Sequence, residues 1–336
     1  MSPTRSLLLA LIPFAAALVA VGLILVGLAL AGYAPGDVLA TAWRGLAGSP
    51  LRLGIWAQEA TPLLLTGLAA GLAFRCGVLN VGTEGQYLMG AVTALAVLLA
   101  LPPSAVSPWL AALAGAGAGA LWCGVAYGLD RWRGVPLVLS AILLNVVAAR
   151  VLGALVEGPL HDPTTAAPQS ALVPDLARLS VLMPGTALTW AAPLAVALAV
   201  WSWLVQRQTA LGFEFTVIGL NPVAADLAGI PVESRRRLAA LGSGALAGLA
   251  GAFQVAGVTW FLSGDAQSYG YAGIAVALLG RLHPLGMIPA ALFFAGLDLS
   301  GRQWERRLGI PHDLGDVAKG VAVALVLAAG LFRGRR

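Results

Sequence analysis

Along most of the chain, apolar residues run on for about twenty positions at a time, neither alternating nor confined to one helical stripe. Such runs fall at residues 7–31, 55–74, 86–101, 109–129, 136–156, 187–205, 238–258, 270–280, 286–300 and 314–332. About twenty apolar residues in a helix cross the hydrocarbon core of a bilayer. The pattern therefore predicts an all-α polytopic membrane protein of about ten transmembrane helices, forming one domain over residues 1–336. Run 270–280 is too short to span as drawn. With run 286–300 it predicts a re-entrant or discontinuous pair around residues 281–286.

Polar residues interrupt this pattern most sharply at residues 74–86, between apolar stretches 63–73 and 87–101. Arg75, Asn80, Glu84 and Gln86 stand there among Gly77, Gly82 and Gly85, which break the helix. A carboxylate or guanidinium at the bilayer centre costs roughly 2.5–3.5 kcal/mol on insertion scales, so it persists where it faces protein or water. Irregular backbone at that depth is tolerated under the same condition. A broken helix lining a pathway is the expectation.

A second broken region, 264–286, is preceded by residues 244–253, a Gly/Ala/Leu run ending in Phe that echoes residues 67–74 before the first. The echo divides the chain into a half at about 1–156, an external loop at about 157–185 and a half at about 186–336. Five spans per half make the halves inverted, an architecture that places a pathway at the repeat interface. Gly115, Gly117 and Gly119, then Gly242, Gly244, Gly248 and Gly251, predict close helix packing.

Composition agrees: 59% of residues are hydrophobic and only 10% charged, where soluble domains carry about 25% charged residues. The net charge of +5 reflects arginines at helix ends, so topology explains it and nucleic acid is not expected as a partner. With the N-terminus inside, one face holds Arg5, Arg75, Arg131, Arg133, Arg207, Arg235, Arg236, Arg237, Arg281, Arg333, Arg335 and Arg336. The other holds Arg44, Arg52, Arg178, Arg302, Arg306 and Arg307. The excess predicts both termini in the cytoplasm. The first run is longer than the apolar core of a signal peptide, about 7–15 residues, and reads as a retained span. An arginine-rich, lysine-poor composition points to a GC-rich bacterium and its inner membrane.

Several chemistries lack their residues. Cys76 and Cys123 are too few and too poorly spaced for a metal site or disulfide framework. The lone lysine, Lys319, belongs to no phosphate-binding loop, and His161, His283 and His312 have no zinc-type spacing. No nucleophile elbow is present. No catalytic residue, metal or cofactor is therefore assigned. Asp298, Asp316 and Lys319 form either an ion relay or structural pairs.

Two loops stand out. Residues 157–185 carry Pro159, Pro163, Pro168, Pro174 and Pro184 with Glu157, Asp162 and Asp175, and read either as a rim for a delivering partner or as a plain connector. Residues 206–237 form the largest polar excursion on the cytoplasmic face. There Asn221 is a helix N-cap, Pro222 suits the first helical position, Gly229 supplies a left-handed ending and Pro231 prevents continuation. They predict a short rigid helix suited to docking in a groove of a soluble partner.

Three stretches together carry a resemblance. Residues 74–91, with Gly-Val-Leu-Asn-Val-Gly-Thr-Glu-Gly-Gln at their core, resemble a signature of ABC-importer permeases of the branched-chain amino acid/ribose superfamily, nearest to nucleoside and simple-sugar permeases. Gly219, Asn221, Pro222, Ala224, Ala225 and Gly229 match that family's ATPase-coupling segment. Residues 270–280 with Pro284-Leu285-Gly286 are similar to its third conserved block. One departure is that Thr216-Val217-Ile218 stand where members usually carry an Arg shortly before the coupling glycine, which leaves one charge contact to the ATPase open.

The resemblance implies the permease subunit of an importer, not an enzyme. It would work with a cytoplasmic ABC ATPase that binds ATP and magnesium, a second permease subunit (a homologous heterodimer or a homodimer), an extracytoplasmic solute-binding protein and surrounding lipid. Gly219, Asn221, Pro222, Ala224, Ala225, Asp226 and Gly229 would couple to the ATPase. Asn80, Gly82, Glu84, Gly85, Gln86, Asn145, Tyr271 and Gly273 are the candidates for the pathway and broken helix. Each polar member also fits a helix-to-helix hydrogen bond, and Glu84 an orienting role at the break. A nucleoside is the favoured cargo, with simple sugars, branched-chain amino acids and riboflavin-like molecules as alternatives. The rival class is an ion-coupled secondary transporter using Glu84, Asp298 and Lys319. It would survive mutation of Asn221-Pro222 but not a protonophore. A gated channel would pass solute without ATP.

Overall fold

Proline marks where many of the helices begin. The computed structural model describes residues 3–264 and 268–311 together with positions 314, 317, 320, 321 and 324. In order the helices are α1 (Pro3–Leu30), α2 (Pro35–Ala47), α3 (Pro50–Arg75), α4 (Thr83–Ala100), α5 (Ser107–Arg133), α6 (Leu137–Glu157), α7 (Ala191–Gln208), α8 (Ala210–Leu220), α9 (Pro222–Leu227), α10 (Val232–Gln254), α11 (Tyr269–Leu279) and α12 (Pro284–Leu308). Pro35, Pro50, Pro222 and Pro284 each open their helix. The missing N–H there is one the helix could not have used.

Among the described residues, five helices are long and apolar enough to cross a membrane: Thr83–Ala100, Ser107–Arg133, Leu137–Glu157, Val232–Thr259 and Pro284–Leu308. Ala210–Leu220 and Tyr269–Leu279 are shorter apolar helices. Predicted spans 55–74 and 187–205 do form helices, α3 and α7, but Gln58 and Glu59 in the first and Gln206, Arg207 and Gln208 in the second dilute their apolar character. Span 314–332, including Asp316 and Lys319, lies almost wholly outside the described residues. Two helices were not anticipated: α2, between the first two spans, and α8, which takes up part of the polar excursion at 206–237.

The centre of the molecule is α3, whose residues Ala60 to Gly71 are all buried. Beside it α4, α5 and α10 cross at glycines. A Cβ on Gly248 would lie 2.2 Å from the Gly115 carbonyl oxygen, and one on Gly90 would lie 2.2 Å from the Gly248 carbonyl oxygen. Only bare backbone permits that approach, and close packing drives helix association where lipid removes the hydrophobic advantage. On α5 and α6, Leu113, Leu121, Leu143 and Val146 point outward.

The residues after α6 form a strap over the end of α10. That helix closes in a π-helical turn, Val255–Thr259, which frees backbone groups for outside partners. Leu179 N–H donates to the Ala256 carbonyl (2.9 Å), Val173 N–H to that of Trp260 (2.8 Å) and Ser170 N–H to that of Leu262 (2.8 Å). Arg178 pairs with Asp175 and lies over the Trp260 ring, 4.5 Å from its centroid.

Candidate functional site

The break between α3 and α4 is built from local signals. α3 ends in a Schellman arrangement: Gly77 takes φ +72°, and Val78 N–H reaches back to the Ala73 carbonyl (3.0 Å). Asn80 then organises the return. Its Oδ1 accepts from Gly82 N–H (3.0 Å), and its amide pairs reciprocally with that of Gln86 (3.0 and 2.9 Å). Asn80 Nδ2 also donates to Ser243 Oγ (2.9 Å) on α10. Buried amides left unpaired cost free energy, and here each finds a partner. Gly82 precedes α4, whereas Gly85 lies inside its first turn and does not interrupt it.

The second break meets the first at Glu84. The Glu84 side chain, 5% exposed, accepts from Gly270 N–H (2.8 Å) and Tyr271 N–H (3.2 Å), in the first turn of α11. A helix N-terminus has unpaired N–H groups and a positive dipole end, so a carboxylate suits it. The two main-chain N–H groups offset part of the desolvation of this buried carboxyl group. Thr83 Oγ1 donates to the Gly270 carbonyl (2.9 Å), and Thr66 Oγ1 to that of Tyr269 (3.0 Å). A Cβ on Gly273 would sit 2.2 Å from Thr66 Oγ1.

Asn145 on α6 closes the group. Its Oδ1 accepts from Gly85 N–H (2.8 Å), while Nδ2 donates to the Val81 carbonyl and the Tyr271 hydroxyl (both 3.1 Å). The structure thus gathers Asn80, Gly82, Glu84, Gly85, Gln86, Asn145, Tyr271 and Gly273 where the two broken helices touch. Asn80, Glu84, Gln86 and Asn145 are buried and engaged with protein groups, and Tyr271 presents the most exposed side chain of the set.

Sequence reasoning missed a neighbouring charged group. Arg302 Nη2 lies 2.8 Å from Glu59 Oε1, and the Tyr269 hydroxyl donates to Glu59 Oε2 (3.0 Å). Tyr87 packs edge-on against Tyr269 at 5.8 Å. A carboxylate inside an apolar run was the available signal. Among the described residues no cluster of His, Cys, Asp or Glu would hold a metal ion.

The polar excursion folds as α8 and α9. Asn221 Oδ1 accepts from Val223 N–H (3.1 Å) and Ala224 N–H (3.0 Å), capping α9. Ala228 ends the helix and Gly229 follows at φ +80°. Ala225 alone in α9 is buried, while Ala224 and Asp226 are exposed with Val223 and Leu227 beside them. Gly219 in the last turn of α8 packs on the end of α3, where its Cβ would meet the Arg75 carbonyl oxygen at 2.2 Å.

A family model described as branched-chain amino acid transport system, permease component, matches residues 52–329. The chain is similar to the glucose ABC transporter permease protein TsgB13 of Haloferax volcanii, 35% identical over 82% of this chain and 76% of the relative. It is also similar to two guanosine ABC transporter permease proteins of Bacillus subtilis: NupP, 30% identical over 96% of this chain and 94% of the relative, and NupQ, 30% identical over 70% and 76%. No solved structure gives a significant match. With its apolar helices, its two broken helices and a match across most of its length, the chain belongs to the permease components of ABC transport systems of the branched-chain amino acid type, multi-pass membrane subunits that transport rather than catalyse.

Proposed function

We propose that this permease imports a neutral nucleoside or simple sugar, driven by a separate cytoplasmic ATPase acting on α9. The observation that carries the reading is the junction of the two breaks, where Glu84 on α4 holds the start of α11. One break comes from each half of the chain, as inverted five-helix halves and about ten spans require. Tyr271, the exposed member of that junction, offers an aromatic face and a hydroxyl that suit a polar, uncharged solute. The names of the guanosine and glucose relatives favour the same cargo.

The capped helix α9, with exposed Val223, Asp226 and Leu227 and buried Ala225, has the form of a rigid element that an ATPase would grip. That face is then cytoplasmic, with both termini on the same side. The strap at residues 158–190 faces an extracytoplasmic solute-binding protein. Two differently named guanosine permeases in one organism support a related second permease subunit as the partner.

Reconstitution with the ATPase, the binding protein and any second permease tests the reading. Radiolabelled guanosine should enter vesicles only with ATP. Uptake that proceeds without ATP and collapses with a protonophore overturns it.

A further inference from the structure

The end of α8 lies against the broken helix backbone to backbone. A Cβ on Gly219 would fall 2.2 Å from the Arg75 carbonyl oxygen and 3.4 Å from Gly77 N. Conversely, a Cβ on Gly77 would meet Gly219 Cα at 3.4 Å. A contact between two main chains has no rotatable side chain in it, so neither segment can shift without displacing the other.

Thr216, one turn earlier, fastens the same joint. Its hydroxyl accepts from Arg75 Nε (3.1 Å) while donating to the Gly212 carbonyl of its own helix (2.8 Å). One oxygen thereby links the last residue of α3 to α8. Beside it Cys76, Phe215, Ile218, Ala225 and Ala239 form a closed apolar cluster. Ala225 is the buried residue of α9, and Cys76 is the first residue of the break. The short helix, α8 and the turn after α3 are thus packed as one body.

From that turn the chain reaches Asn80 in a few residues; Asn80 pairs with Gln86 and donates to Ser243 of α10, and Glu84 accepts from the start of α11. We propose that Thr216 and Gly219 are positioning residues that carry displacement of α9 into the α3–α4 break through Arg75. This rests on α9 being the element the ATPase moves. A passive packing role would affect only folding and assembly; a transmitting role affects how much solute moves per nucleotide spent.

The test uses the whole importer in vesicles, with guanosine and glucose as probes, reading uptake per ATP hydrolysed. Thr216→Val keeps the shape and removes the hydroxyl; Gly219→Ala inserts a methyl against the Arg75 carbonyl. Both variants should co-purify with the ATPase yet lose at least about fivefold in that ratio, the lower end of coupling between distant sites. Thr216→Ser should stay near wild type. An unchanged ratio in Thr216→Val, or failure of that isosteric variant to assemble, overturns the proposal. Absence of ATP-driven uptake in the wild-type complex instead overturns the importer reading on which it stands.

Discussion

Glu84 and Gly270 are held to each other twice over. The carboxylate accepts the Gly270 N–H at 2.8 Å, and the bare α-carbon of Gly270 lets the two backbones lie so close that a Cβ there would stand 2.3 Å from Glu84 Cα. One contact is electrostatic and the other steric, so they fail separately. Glu84→Gln keeps the volume but replaces charge-assisted bonds, and should lower stability by about 1–3 kcal/mol. Gly270→Ala keeps the charge but pushes α11 away from α4. Both should lower the melting temperature in detergent and impair ATP-driven uptake. A Glu84→Gln protein as stable and active as wild type would show that the carboxylate does not hold α11.

The crossing of α4, α5 and α10 makes a prediction independent of transport. Gly248→Ala forces a methyl to within 2.2 Å of the Gly115 carbonyl oxygen, whereas a Cβ on Gly117, two residues along the same helix as Gly115, meets nothing within 4 Å. Overpacking of this kind costs about 1–3 kcal/mol. Gly248→Ala should reduce the yield of monodisperse protein in fluorescence-detected size exclusion, and Gly117→Ala should not. Equal yields would mean that α10 can move aside.

Helix α9 depends on its cap. Asn221→Ala removes the acceptor for the Val223 and Ala224 N–H groups, a loss of about 1 kcal/mol confined to a helix of one and a half turns. Global melting should therefore change little, while ATP-coupled uptake falls. Asn221→Asp, which keeps the acceptor oxygen, should retain more activity. If the alanine and aspartate variants transport equally, the cap is irrelevant to coupling.

What was legible in the sequence followed the range of the forces involved. α9 could be delimited because its cap, its proline and its closing glycine lie within nine residues of chain. The break after α3 was visible because Arg75, Asn80 and Glu84 interrupt an apolar run, and a polar group at that depth demands a partner whatever the fold. Which partner each group takes was hidden. Asn80 finds Gln86 six residues away, but Asn145 bonds Gly85 across sixty and Glu84 reaches Gly270 across 186. Helix α2 was overlooked because it is thirteen residues long and amphipathic, so it makes no long apolar run. The joint between Gly219 and Arg75 is main chain against main chain and leaves only a glycine as its trace.

Glu59 and Arg302 are the charged pair least visible in the sequence, and their coupling can be measured. Both are partly exposed, 16% and 30%, so solvent screening limits the pair to less than a fully buried one. The Tyr269 hydroxyl on Glu59 Oε2 places it beside the first residue of α11. Glu59→Gln leaves the guanidinium without its counter-charge, and Arg302→Gln leaves the carboxylate with the tyrosine alone. Each single variant should therefore cost more than half of what the double variant costs, with an interaction energy of about 0.5–3 kcal/mol in a double-mutant cycle on detergent melting. Tyr269→Phe should weaken the pair further, because the carboxylate then loses its second partner. Strict additivity of Glu59→Gln and Arg302→Gln would reduce the ion pair to a chance approach of two side chains. It would leave Thr66 and Glu84 as the groups that fix where α11 begins.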